Sequence, residues 1–495
     1  MESLGDTFWD VVISGTGLQQ SLLALALSRS GKKILHIDPN DFYGGAEAAF
    51  GLQDAESWAA RASADGGGLF RSASITRPNG TTGLSSSRSY SLALAPRLIH
   101  ARSALLSQLV SSHAYRQVEF LAVGSFFILK SPESPSQQRT LVRIPSTRED
   151  VFSTTAVSSK AKRGLMKFLK FVLDYENPPQ LELWQQHADA PLGEFLQNEF
   201  RLDAELQTYI VTLTLSLDGK MTTKDGLAVI RRHLTSMGVY GPGFAALYPK
   251  WGGLSEIAQV SCRAGAVGGA VYMLGTGIKA METADDEIEL KLTSGDTVRT
   301  RMLVRGDDSP SDQTGISRLV AVIGSSLNSL FEVVVEGAPT PVVAVIALPA
   351  GSISTAVGQA SEYPVYLSAH SSNTGECPVG QSVLYFTTLT TPDSREILQK
   401  ARDAFLGTLS EGQPPEILYQ LQYEQSGGAH ELRAKGSVIT FPAPSFSLSF
   451  DDSTLEPVKE AWKKVMGDRA VDAEYMTFAD REDAMDDDET YAYRG

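Results

Sequence analysis

The chain has 495 residues, 42% hydrophobic and 20% charged, with a formal net charge of −15 at pH 7. That length exceeds one compact core and points to two or three domains, while the acidic balance argues against nucleic acid as a partner, because binding phosphates needs clustered Lys and Arg. No apolar run reaches the roughly 18–20 residues of a membrane helix, no basic segment precedes an apolar stretch at the N-terminus, and two cysteines, Cys262 and Cys377, suit a reduced, cytoplasmic chain.

Residues 10–14 read as a buried parallel strand, followed by Gly15-Thr16-Gly17-Leu18-Gln19-Gln20, a helix over 21–30, and a second strand over 33–38 that ends in Asp38. This βαβ pattern places a pyrophosphate on a helix N-terminus and a ribose hydroxyl on the acid. The third glycine, which allows close helix–strand packing, is here Gln20. Gly15, Gly17, Gln20 and Asp38 therefore read as a dinucleotide motif with an intact scaffold and an altered ligand site, which the resemblance given below implies is vestigial.

Residues 42–45 form a turn, and the Gly/Ser/Thr-rich segment 65–89 reads as a flexible insertion. A helix is expected over 103–111, and strands over 118–129 and 141–144. From residue 158 the periodicity becomes helical, with Leu165, Phe168, Leu169, Val172 and Leu173 on one face and lysines largely on the other. Pro178-Pro179 ends that helix, and further short helices are expected over 191–197, 204–216 and 224–235. Strands follow over 271–274, 288–292, 300–304, 342–348, 383–387, 417–423 and 438–441, then a helix over 455–466 with Pro457 in its first turn. Residues 480–489 are an acidic tail. The whole reads as α/β: a large multi-sheet, Rossmann-type domain with a small all-α second domain. The expected divisions are 1–150 (domain I, first part), 151–235 (domain II), 236–475 (domain I, second part) and 476–495 (tail). The seven histidines show no metal-ligand spacing, and no nucleophile-elbow signature is present.

Three blocks carry a resemblance. They are Gly15-Thr16-Gly17-Leu18 with Gly31 to Asp38 and Tyr43-Gly44-Gly45; Arg88 to Leu98 with Ala114 to Phe120; and Tyr240-Gly241, Leu247-Tyr248-Pro249, Gly252 to Glu256, Arg263, Gly269 and Tyr272-Met273-Leu274. In this order they resemble the Rab escort protein and Rab GDP dissociation inhibitor superfamily. The segments 148–152 and 165–169, and the Ser/Gly insertion ahead of Arg88, are similar to its escort branch, with the inhibitor branch as the alternative.

The resemblance implies a fold of FAD-oxidase ancestry that has lost its flavin. Arg305-Gly306-Asp307-Asp308 stands where flavoenzymes of this ancestry carry an Ala/Thr-Gly pair. It implies no catalyst, but a cytoplasmic accessory component that binds GDP-form Rab GTPases, unprenylated and prenylated. Such a protein presents them to Rab geranylgeranyltransferase, holds the geranylgeranyl lipid, and touches membranes transiently during delivery. A flavin-dependent oxidoreductase that tolerates Gln20 is the rival from another class. The Rab-binding residues implied are Tyr43, Glu256, Arg263, Tyr272 and Met273, with Val271 where the inhibitor branch carries a hydroxyl. Glu256 and Arg263, seven residues apart on one helix, project from the same face. Leu165, Phe168, Leu169, Ile210 and Leu213 are candidates for the lipid pocket, although on pattern alone the stripe is ordinary helix core.

Overall fold

The computed structural model describes residues 4–64, 68–78, 80, 82–132, 138–145, 159–284, 287–307, 311–409 and 413–479. The segment 148–152, Asp308 and the acidic residues 480–489 lie outside them.

A six-stranded sheet holds the N-terminal motif. Its order is Val271–Met273, Ile34–Ile37, Val11–Ser14, Leu303–Gly306, Val438–Phe441 and Arg433–Lys435. The first five strands run parallel, Val12 pairing with both Leu35 and Leu303, and only the Arg433–Lys435 edge is antiparallel. Val11, Val12, Ile13, Leu303 and Val304 are fully buried, as expected for parallel strands covered on both faces. The helix Leu18–Leu27 lies on one face, apolar nearly all round because it sits between the sheet and two further helices, Leu254–Val267 and Leu455–Met466.

A ten-stranded sheet forms the second layer. Its path runs Phe70–Thr76, Ile417–Gly427, Ser311–Ile323, Ser382–Leu389, Val365–Ser371, Val343–Leu348, Phe120–Lys130, Ala246–Pro249 and Ile99–His100, with Thr140–Arg143 paired to Phe120–Lys130. A four-stranded sheet (Phe8–Trp9, Thr297–Thr300, Glu287–Leu292, Ile278–Ala284) and a two-stranded ribbon (Ala49–Phe50, Leu92–Ala93) complete the β structure among the described residues.

Helices Ser159–Leu173, Gln180–Gln185, Leu192–Phe200, Ala204–Leu213 and Thr223–Ser236 follow one another. Three of their starts carry the expected chemistry: the Asp203 and Thr222 side chains accept amides of their own first turns, and Pro191 opens Leu192–Phe200. Phe168, Phe195, Leu196, Ile210 and Leu227 bury into one cluster with Val123, Phe126, Val343 and Val345 of the ten-stranded sheet. The helices thus share their core with the large sheet.

Several expectations need correction. The first helix begins at Leu18, not 21, so Gln20 lies in its first turn. Within the segment 65–89 expected as a flexible insertion, Phe70–Thr76 is a strand paired with Ile417–Gly427, and Ser87–Ser89 is a 3-10 turn. Its sparse apolar residues concealed it because an edge strand buries few side chains; Ala73 is the buried one here. The expected strand 300–304 is two strands separated by Arg301 and Met302. The helices Leu52–Ala64 and Ser394–Thr408 and the strands Ser311–Ile323 and Val365–Ser371 escaped the sequence reading.

Candidate functional site

The glycine turn is built from within the chain. Gly15 takes φ +94°, a conformation suited to glycine, and its amide donates to the Ile37 carbonyl at 2.8 Å. His36, fully buried, donates from Nε2 to the Gly15 carbonyl at 2.7 Å, and burial lowers its pKa to about 4. The Asp38 carboxylate is fully engaged. Oδ2 accepts the Thr16 amide and hydroxyl at 2.6 and 2.7 Å, and Oδ1 accepts the Asn40 amide and side chain at 2.8 and 3.0 Å. The Gln20 amide folds back over the turn, so that a Cβ on Gly15 would meet its Nε2 at 3.2 Å and one on Gly17 its Oε1 at 3.0 Å.

A groove of about 1540 Å³ opens beside this turn, reaching Gly15, Gly17, Gln20, Glu47 and Arg97. The acid at the end of the second strand already accepts four hydrogen bonds from Thr16 and Asn40, and the Gln20 amide lies over the two glycines. Among the described residues no group of His, Cys, Asp or Glu could hold a metal ion.

The Tyr43 turn is tied to the same loop, because the Gly44 amide donates to the Thr16 carbonyl and Oγ1, both at 3.1 Å. Tyr43 is half-buried beside Asp38 and Cys262, and burial raises its pKa. Cys262 comes from the helix Leu254–Val267, its thiol contacting Ser21 Oγ at 3.3 Å, and burial pushes it up to about 11. Glu256 sits in the first turn of that helix, half-buried, and Arg263 stands two turns on, exposed. Burial raises the Glu256 carboxyl and the Arg263 charge opposes that rise, so the two share an electrostatic environment.

The strand Val271–Met273 returns beside Ile34–Ile37. Tyr272 turns inward: its ring stacks 4.8 Å from His36, and its hydroxyl lies beside Cys262 where Gly265 leaves room. Met273 leans on the cluster of Trp9, Val12, Leu35 and Ile37, and Val271 is exposed. Tyr43 and Tyr272 thus meet at Cys262, on the helix that also carries Glu256 and Arg263. What spacing could not disclose is this shared support, which comes from residues over 200 positions apart.

The helical segment encloses an apolar cavity of about 20 Å³. All five residues expected there, Leu165, Phe168, Leu169, Ile210 and Leu213, line it, joined by Ile144, Tyr209 and Ile230. That volume holds about one water. A long isoprenoid therefore enters only if Ser159–Leu173 parts from Ala204–Leu213 and Thr223–Ser236.

Comparison with known proteins follows this geometry. The family described as GDP dissociation inhibitor matches residues 5–328. The chain is 29% identical over 388 residues to "Rab proteins geranylgeranyltransferase component A" of Saccharomyces cerevisiae, covering 77% of this chain and 61% of that relative. It is 24% identical to "Rab escort protein 1" of Arabidopsis thaliana, covering 93% and 92%. The match thus spans less than two thirds of the yeast relative and nearly all of the plant one. In fold it resembles the crystal structure of a Rab GDI from Plasmodium falciparum, with TM-score 0.68 and 16% identity over 94% of this chain and 99% of that one. It also resembles an oxidoreductase from Methanosarcina mazei, with TM-score 0.57 and 11% identity over 92% and 99%. The fold is FAD-oxidase-like.

Proposed function

The chain belongs to the GDP dissociation inhibitor family, and from that premise we propose that it is an escort-type chaperone of Rab GTPases. It binds the GDP form, presents it to Rab geranylgeranyltransferase as an accessory component rather than a catalyst, and shields the geranylgeranyl product. It works in the cytoplasm and touches membranes only during delivery; among the described residues no helix is long and apolar enough to cross one. The relatives named as component A of that transferase support the assignment.

One observation carries the reading: five residues singled out as lipid contacts line one apolar cavity between helices. Each methylene moved there from water is worth about 0.8 kcal/mol, and the cavity wall that would receive it is apolar. The grip on the GTPase is a separate matter. A half-buried carboxylate and an exposed guanidinium on one helix face, flanked by Tyr43, suit a protein surface that supplies complementary charge.

Substituting the cavity wall separates lipid binding from protein binding. Leu169→Asp, at a half-buried position, and Phe168→Asp, at a fully buried one, should weaken prenylated Rab at least tenfold more than unprenylated Rab in a titration. Equal loss for both forms, with Leu169→Asp still folded by circular dichroism, overturns the lipid cavity. Reconstituted prenylation tests the escort reading, because a dissociation inhibitor would extract prenylated Rab yet fail to support modification of an unprenylated one. A yellow preparation that releases flavin on denaturation would point instead to an oxidoreductase.

A further inference from the structure

The helix Leu18–Leu27 begins without a cap of its own. Its N-cap is Gly17, which offers no side chain, and its first turn holds no acid. Exposed amides and the dipole of such a helix end favour an anion. A carboxylate meets them from elsewhere in the chain: Glu47 Oε2 accepts the Leu18 amide at 3.4 Å. Glu47 is 4% exposed and belongs to the 3-10 turn Gly45–Glu47 that follows the Tyr43 bend.

The counter-charge is equally buried. Arg97, 2% exposed, places Nη1 3.6 Å from Glu47 Oε1 and donates to the Ser445 carbonyl, while its Nε has no hydrogen-bond partner in the structure. A buried arginine needs an anion, because an unpaired charge in low dielectric is destabilising by several kcal/mol. Burial raises the Glu47 carboxyl, and the Arg97 charge works against that rise. Both residues border the open groove, so small anions from solvent can reach them.

We propose that the Glu47 carboxylate is a built-in replacement for a dinucleotide's pyrophosphate. It takes the anion position at the helix N-terminus, is neutralised by Arg97, and keeps the glycine turn folded without a nucleotide. Gln20 then covers the turn, but Glu47 supplies the charge. Because the Gly17 and Gly44 segments are bridged, the same contact makes Glu47 a positioning residue for the Tyr43 bend. Only that last consequence rests on the Rab-binding reading, and the test below does not use Rab.

The experiment is thermal unfolding of the full chain at pH 7.5, with and without millimolar inorganic pyrophosphate. The wild type should show no shift. Glu47→Ala should melt several degrees lower and recover several degrees with pyrophosphate, which fills the emptied position. Glu47→Gln keeps the shape and an acceptor but loses the charge, and should also melt lower than wild type. If pyrophosphate raises the wild type as much as the variants, or raises neither, the proposal is overturned. It is equally overturned if Glu47→Gln melts as the wild type does, since an anion would then not be required. Should Glu47→Ala fail to fold, Glu47→Ser, which also empties the position, carries the pyrophosphate arm, and Glu47→Gln still tests whether the charge is required.

Discussion

His233 lies 2% exposed between His100 and Phe126, with ring centroids 5.7 and 5.3 Å away and neither ring nitrogen hydrogen-bonded in the structure. Burial lowers its pKa to about 4, as it does for His36. Both values fall below the ordinary 6.5, so the unfolded chain takes up protons that the folded one refuses. Stability is then complete above pH 6.5 and declines as pH falls toward 4, by roughly 3 kcal/mol per histidine at the limit. Asp38 runs the other way, because burial raises its carboxyl and its share is lost as pH climbs through the folded value. The clean measurement is therefore a difference. His233→Phe should match the wild type in denaturant midpoint at pH 8 and exceed it at pH 5; parallel pH profiles would show that His233 does not titrate as described.

At the scale of elements, the crossing of Leu18–Leu27 with Leu254–Val267 sets the geometry of the site. Two glycines permit it. A Cβ on Gly268 would overlap the Ser28 carbonyl, and one on Gly265 would overlap the Tyr272 hydroxyl and lie 3.4 Å from Ala24 Cβ. Backbone cannot yield as a flexible side chain does, so Gly268→Ala should destabilise by about 1–3 kcal/mol. Gly269, with nothing within 4 Å of its added Cβ but φ +98°, is a control for strain without collision. Chemical denaturation decides between them: unchanged stability in Gly268→Ala would mean that the helices do not cross this closely.

At the scale of the molecule, the two surfaces proposed to hold Rab and lipid rest on different cores. Glu256 and Arg263 ride a helix whose buried residues join the six-stranded-sheet cluster, whereas Phe168 and Ile210 belong to the cluster shared with the ten-stranded sheet. Substitutions should therefore separate. Arg263→Glu, an exposed charge reversal, should weaken prenylated and unprenylated Rab alike, by about tenfold or more, and leave the melting temperature unmoved. The cavity variants should discriminate between the two forms. A discriminating Arg263→Glu would contradict this division.

Local pattern and spacing carried a definable part of this protein. The βαβ start, the Leu455–Met466 helix and the Leu165–Leu173 stripe were legible because each is a short-range periodicity of apolar residues; three residues of that stripe, Leu165, Phe168 and Leu169, line one cavity with Ile210 and Leu213 of another helix. The Glu256–Arg263 pair was singled out by the family resemblance, and the two-turn spacing added only that both residues share one helix face. Tertiary structure alone decided the rest. Phe70–Thr76 became a strand because Ile417–Gly427 offers it a hydrogen-bonding edge, which no local composition records. Glu47 meets the Leu18 amide across 29 positions and Arg97 across 50 more, and only folding brings a carboxylate, a helix end and a guanidinium together out of water. Sequence marked where a nucleotide motif had changed; the fold determined what stands in its place, because buried charge is balanced in space and not along the chain.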